Sequence, residues 1–400
     1  MYDCIIVGGG IAGLQAAIQL GRYAHRVLVI DAGTGRSTLC RQYRNLLGWP
    51  DGISGDELRR LGRVHAERFG VEFRHGVVVK VNHAERNNST EENVITNTGN
   101  TGNTDCTDEG VGFIITAARA TGETEHTQRA EHTEHTEHTE ETENTEHSGY
   151  IEHTEGIEYT EHTEHIKHTE HIEQTECIDH MEHTGHTADT ERHEQFHALT
   201  VLFATGVTDR FPTVPGLREC LGLTVYVCPD CDGYEVRNRR TIVLGAGDTG
   251  AQMALTLYER TQHLIYINHD YRSSPVSKKV AAQLQAKAIE VQHEQVVKVL
   301  TVGDGQFQGV ELADGRVILA ERAFIAFGGN KVHSTLLKQL GVERFENEHI
   351  PTELRSKMTN VDGVWAIGDI GLHAEQVAIA IGEGSQAAIW IHKTIMTLQK

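Results

Sequence analysis

At 400 residues the chain is long enough for two or more domains of about 150 residues each. Its 40 glycines and 6 prolines fall mostly in short turns between apolar runs, a pattern that excludes a collagen-like or wholly disordered chain and suits an α/β protein. The formal charge of −21 is not evenly spread: residues 121–196 hold 22 acidic and 3 basic side chains. The remainder is near neutral, with no basic face for nucleic acid or an anionic membrane.

The N-terminal residues enter an apolar strand at once, with no basic leader or long apolar stretch before it, and no run approaches 18 apolar residues. A soluble cytoplasmic protein is expected. Residues 3–7, 11–20 and 26–30 read as strand, helix and strand, one βαβ unit. Between strand and helix stands Gly8-Gly9-Gly10-Ile11-Ala12-Gly13. There Gly8 makes the tight turn, Gly10 admits a pyrophosphate, and Gly13 lets helix and strand pack closely, with Ile11 and Ala12 opening the helix. Asp31 ends the second strand, where a carboxylate accepts from ribose hydroxyls. The alternative is a plain turn.

Residues 112–117 and 198–204 read as neighbouring strands. Between them, over 119–196, Thr-Glu-His recurs with few interruptions, a low-complexity insert expected to be disordered because it lacks apolar residues to bury. Its histidines could bind metal adventitiously, but no metal site is expected in the chain. Residues 87–107, rich in Asn and Thr, read as a smaller insert of the same kind.

A second βαβ unit follows, with strand 241–244, helix 249–260 and strand 263–267. Its glycine motif is Gly245-Ala246-Gly247-Asp248-Thr249-Gly250, a nucleotide loop or a degenerate structural turn. Asp270 comes a little late to meet a ribose.

Seven cysteines is an odd number, and Cys4, Cys40, Cys106, Cys177 and Cys220 are scattered without a disulfide framework. Cys40 reads as inert packing. Cys228-Pro229-Asp230-Cys231, just before the second unit, is different: two residues between the cysteines allow a redox-active disulfide in a turn restrained by proline. Half of a zinc site is the competing reading, but no second pair stands at ligand spacing outside the repeat.

With these motifs in this order the chain resembles the low-molecular-weight thioredoxin reductase-like family of FAD-dependent disulfide oxidoreductases. Cys228-Pro229-Asp230-Cys231-Asp232-Gly233 is similar to that family's dithiol motif, and Ala204-Thr205-Gly206 to its turn beneath the FAD. Asn45 to Pro50 resembles the loop beside the flavin, and Gly368-Asp369 with Glu375-Gln376-Val377-Ala378 the late motif that returns to the cofactor. The resemblance implies an α/β fold of two Rossmann-like, three-layer (ββα/βα) nucleotide-binding domains. A discontinuous FAD-binding domain is expected over 1–210 and 331–400, and an NAD(P)-binding-like domain carrying the dithiol over 213–328. It also implies FAD at Gly8, Gly10, Ile11, Ala12, Gly13, Asp31, Asn45, Ala204–Gly206, Gly368, Asp369, Gln376 and Val377. Cys231 would lie nearest the flavin, Cys228 would exchange with substrate, and Asp232 would be the acid–base. Helix capping is the alternative for Asp232 and Asp369. Trp49 and Trp365 are expected to pack beside cofactor segments.

A homodimer acting on a thioredoxin-like protein or a small-molecule disulfide is implied by the same resemblance. NADH or NADPH would supply electrons, yet Asn268-His269-Asp270-Tyr271-Arg272 replaces the basic cluster that binds a 2′-phosphate. A dithiol oxidase using oxygen is one alternative, and a metal-buffering or interaction protein built on the His-rich repeat is another.

Overall fold

The computed structural model describes residues 1–84, 112–119 and 193–400, which belong to one compact unit. The first part runs β1 (Tyr2–Val7), α1 (Ile11–Arg22), β2 (Val27–Asp31), α2 (Gly55–Glu67), β3 (Glu72–His83), β4 (Phe113–Arg119) and β5 (His193–Phe203). The chain then crosses on β6 (Val207–Thr208) into α3 (Leu217–Cys220), β7 (Val225–Tyr226), α4 (Pro229–Asp232), β8 (Thr241–Gly245), α5 (Gly247–Leu257), β9 (Leu264–Asn268), α6 (Lys278–Ala286) and β10 (Glu290–Gln292). Next come β11 (Val296–Val302), β12 (Gln306–Leu312), β13 (Val317–Leu319) and β14 (Arg322–Ala326). It returns on β15 (Lys331–Val332), antiparallel to β6, and ends with α7 (Thr335–Gln339), β16 (Val364–Ala366) and α8 (Val377–Leu398).

β1 lies between β2 and β5, parallel to both, while β3 and β16 pair parallel on the outer sides of β2 and β5. The far half of β3 and the near half of β5 leave this sheet and pair antiparallel with β4. Alternation along β1 separates two core layers. Cys4 and Ile6 pack toward α1 and α8, whereas Ile5 and Val7 pack with Val81, Phe113 and Ile115 of the antiparallel strands. The second sheet has the order β10-β9-β8-β14-β7, all parallel. Ile242 and Leu244 of β8 face the antiparallel β11–β12–β13 layer, and Val243 faces α5 and α6. Each half is therefore a three-layer ββα arrangement built on a parallel sheet, the fold class expected.

The larger departures from the boundaries read in the sequence are at β5 and α5. β5 starts at His193, inside the stretch read as insert, because residues 193–197 find backbone partners in Ile114–Ala118 despite their polarity. α5 starts at Gly247, two residues early, and ends at Leu257, before a turn through Arg260. The Thr-Glu-His repeat over 120–192 and residues 85–111 lie outside the described residues.

Candidate active site

The first glycine loop is shaped by close approach. A Cβ on Gly8 would collide with the Ala204 carbonyl, and one on Gly13 with the Gly8 carbonyl, so both glycines hold β1, α1 and the turn after β5 in contact. Gly10 is different: its φ is −73°, and a Cβ there would meet nothing within 4 Å. α1 has no acidic residue in its first turn and no side-chain cap, which leaves its first N–H groups and the positive end of its dipole open to an anion. Asp31 at the end of β2 accepts from Gly9 N–H at 3.0 Å and from Arg59 at 2.7 Å. Its carboxylate first fixes the loop, and a ribose hydroxyl would share it.

From this loop runs a cavity of about 720 Å³. Gly8, Gly10, Ile11, Ala12 and Asp31 line it, as do Asn45 and the turn Ala204–Gly206. Gly368, Asp369, Gln376 and Val377 line it as well, and so do Cys228, Cys231 and Asp232. Gly13 stands behind the loop, packed on Gly8. Residues more than 300 positions apart thus meet on one cleft. In the loop after Asn45, Leu47 is 97% exposed and Trp49 38%, and neither lines the cavity. Trp365 is buried in the core beside α8.

Cys228 and Cys231 are joined in a disulfide, with Cα atoms 5.3 Å apart. Cys228 is the N-cap of α4 and its Sγ accepts the Cys231 N–H at 3.2 Å, while Pro229 presets the first helical φ. Cys231 Sγ lies 3.9 Å from the Glu375 carbonyl oxygen. Cys228 also lines a second cavity, of about 360 Å³, that Cys231 does not reach. Asp232 is the last residue of α4, so it does not cap it. Burial pushes its carboxyl up to about 6, with Arg44 opposing and Glu235 adding to the shift. Burial pushes the Cys4 and Cys40 thiols up to about 12 and that of Cys220 to about 11, which keeps all three protonated and inert.

Several residues here carry no sequence motif. Arg36 makes two parallel hydrogen bonds to Asp209, at 2.6 and 2.7 Å, reaches Asp369 at 3.3 Å and also pairs with Glu375. Asp369 is therefore spent on Arg36 rather than on a helix cap, and burial holds its carboxyl above the usual range against that cation. Behind Gly368, the buried Glu383 accepts from Gly368 N–H at 2.8 Å and pairs with His373 at 3.0 Å and Lys357 at 2.9 Å. Only Glu383 left a trace in the sequence, as one carboxylate on the apolar stripe of α8 with Ala380, Ala387 and Ile391.

The second glycine motif is not part of the large cavity. Of its residues only Thr249 lines the smaller one; Gly245 and Gly250 are packing contacts against the Ala326 carbonyl and the Tyr266 ring. Among the described residues no group of three or more His, Cys, Asp or Glu could hold a metal ion, and no helix is long and apolar enough to cross a membrane.

Comparison with known proteins fits this geometry. Residues 110–384 match the family model of pyridine nucleotide-disulphide oxidoreductases, and residues 6–60 that of an NAD(P)-binding Rossmann-like domain. The chain belongs to the pyridine nucleotide-disulphide oxidoreductase family. It is 29% identical over 206 residues to a thioredoxin reductase of Mycolicibacterium smegmatis, covering 49% of this chain and 64% of that protein. A thioredoxin reductase of Helicobacter pylori is 30% identical over 206 residues, 48% of this chain and 65% of its own length. The alignments thus span a little under two thirds of these relatives. In fold the chain is similar to HlmI, with TM-score 0.66 and 23% identity over 100% of this chain and 93% of that one. It is equally similar to a thioredoxin reductase from Streptococcus pyogenes, with TM-score 0.65 and 20% identity over 99% of both chains.

The family implies FAD, and the first cleft suits it. An uncapped helix start and the open face of Gly10 match a pyrophosphate, and Ser37 Oγ on the same wall is buried without a partner. Gly10→Ala is expected to keep stability within about 1 kcal/mol while weakening FAD retention on the order of tenfold, whereas Gly13→Ala costs about 3 kcal/mol or more through its clash. Melting and flavin-release titrations separate the two.

Glu383→Gln breaks a buried ion pair and should cost about 3 kcal/mol. The depressed Glu383 carboxyl gives stability that is lost as pH falls through its folded pKa, and the raised His373 gives stability that is lost as pH rises through its own. Melting temperature against pH should therefore lose both limbs of this contribution in the variant.

Proposed function

We propose that this chain is an FAD-dependent disulfide oxidoreductase, with Cys228 and Cys231 passing electrons between the flavin and a disulfide on a thioredoxin-like protein or a small molecule. What carries the reading is the shared cavity: the disulfide lies on the wall of the cleft that begins at the first glycine loop. Gly8, Gly10 and the start of α1 would hold the pyrophosphate, with Asp31 toward a ribose and Asp369, Gln376 and Val377 toward the rest of the cofactor. When bound, the flavin supplies the two electrons that open the disulfide. Cys231 lines only this cleft, which supports a flavin-side role for it, and Cys228 lines both cavities, which supports a substrate-side role.

In the reduced protein the Cys228 thiolate attacks one sulfur of the substrate disulfide, and the leaving thiolate takes a proton from Asp232. Cys231 then attacks Cys228 Sγ, releases the second thiol and restores the Cys228–Cys231 bond. An acid with a pKa of about 6 is close enough to neutrality to give and recover that proton. For the donor, the end of β9 speaks against a 2′-phosphate: Asp270 is paired with Arg210 at 2.9 Å, and its carboxylate would repel phosphate. NADPH is therefore disfavoured.

Anaerobic dithionite titration should consume four electrons per flavin in the native protein and two in Cys228→Ser. Uptake of only two by the native protein would sink the proposal. Asp232→Asn should slow thiol–disulfide exchange by about 10²–10⁴-fold and remove a pH limb near 6 from its rate. The raised carboxyl weakens the fold as pH rises through about 6, so the same variant should melt higher than the native protein at pH 8, by a margin that shrinks at pH 5.

A further inference from the structure

The two glycine loops have the same position in their sheets but opposite surroundings. At the first, Gly10 faces open space and no carboxylate stands in the first turn of α1. At the second, a Cβ on Gly247 would lie 3.2 Å from both Cβ and O of Ser274 and 3.5 Å from the Pro275 carbonyl oxygen. The Gly247 N–H, a donor a pyrophosphate would need, is given to the buried Asn268 side chain at 3.1 Å, whose amide also donates to Ser274 O at 2.9 Å. Asn268 is the last residue of β9, as Asp31 is of β2, and here it pins the following segment over the loop. Asp248 already sets a negative charge in the first turn of α5 and accepts from Ser277 N–H at 2.7 Å. Two carbonyl oxygens and a carboxylate stand where a dinucleotide would bring two phosphates.

What stays open in this half is the 360 Å³ cavity beside the start of α5, and Cys228 is part of its wall. Its size is at the small end of small-molecule sites, about 300–1,000 Å³. A protein partner needs about 800 Å² of surface on each side, which a recessed sulfur does not offer. Phe211, Met253 and Phe327 give it apolar walls. Its cations are already committed, since Arg36 is bound to Asp209 and Glu375, Arg210 to Asp270 and His373 to Glu383, and the exposed carboxylate of Asp230 on the same wall would repel an anionic disulfide.

We propose that the cleft of the second Rossmann-like half does not bind a dinucleotide and instead admits an uncharged, low-molecular-weight disulfide to Cys228. The proposal rests on the disulfide oxidoreductase reading and narrows its substrate class. Exchange follows the steps given above: the Cys228–Cys231 dithiol loses two electrons and two protons, the substrate disulfide gains them as two thiols, and a donor other than a dinucleotide, such as a reduced iron–sulfur protein, returns two electrons through the flavin.

The test uses the flavin-loaded full chain, reduced anaerobically with dithionite to four electrons and mixed in a stopped-flow instrument. Hydroxyethyl disulfide should reoxidise it at least tenfold faster than glutathione disulfide or oxidised thioredoxin. Thr249→Trp, an exposed position on the wall of this cavity alone, should slow the hydroxyethyl disulfide reaction at least tenfold while the four-electron uptake is kept. A native rate in that variant, or preference for thioredoxin, would overturn the proposal, as would rapid flavin bleaching by NADH or NADPH. In the reduced protein, N-ethylmaleimide should alkylate Cys228 at least tenfold faster than a polyethylene glycol maleimide; equal labelling would also overturn it. Failure of the underlying reading is distinct, since the native protein would then take up only two electrons.

Discussion

The guanidinium of Arg36 holds together chain segments that otherwise meet nowhere in the sequence. It binds Asp209, where the chain leaves the first sheet, Asp369, which follows β16, and Glu375, just before α8. One cation against three carboxylates leaves net negative charge in a half-buried place. Burial opposes the charge on Arg36, but Asp209 and Glu375 more than offset this and keep it protonated. Removing the cation would leave uncompensated buried carboxylates, which is costlier than the pair itself is stabilising. The same contact holds Glu375, whose carbonyl oxygen lies 3.9 Å from Cys231 Sγ. Glu383 does comparable work behind Gly368, on the opposite side of His373.

The contrast between the two glycine loops shows how one local pattern yields two outcomes. Both have strand, glycine turn and helix, and both glycine sets satisfy the packing of helix on sheet. What differs is the residue that ends the following strand. Asp31 leaves the region beyond the loop open, while Asn268 has both donor and acceptor and uses them to tie Gly247 to Ser274. An amide at that position bridges backbone to backbone; a carboxylate has no donor with which to do so.

The fold and most of the cleft were legible because they rest on local rules. Alternating apolar strands, glycines at tight approaches and the Cys-x-x-Cys spacing act within a few residues, and nearly all the residues singled out for the first cofactor line one cavity. The contacts over the second loop were not legible, because they come from Ser274 and Pro275 and depend on a side-chain bridge rather than on a spacing. Arg36, Asp209 and Glu375 were missed for the same reason: their partnership spans up to 339 positions and no periodicity marks it.

The placement of Asp232 explains why a carboxylate is kept where an amide would be more stable. At the end of α4, beside a disulfide and behind Tyr226, its charge costs free energy that Arg44 only partly offsets, and Glu235 adds to the cost. Arg44 itself has one buried N–H without a partner, although it pairs with Glu235 at 3.8 Å and donates to Gln42 at 2.5 Å. A site selected only for stability would neutralise Asp232 and bring the cation closer. Instead burial raises the acid to about 6; under the proposed exchange a thiolate leaving group formed beside it would take its proton and the resulting carboxylate would be reprotonated. The cost is local: the N-cap Cys228 and the four helical residues after it carry the two sulfurs and the acid, and the well-packed sheets on either side supply the stability that this segment lacks.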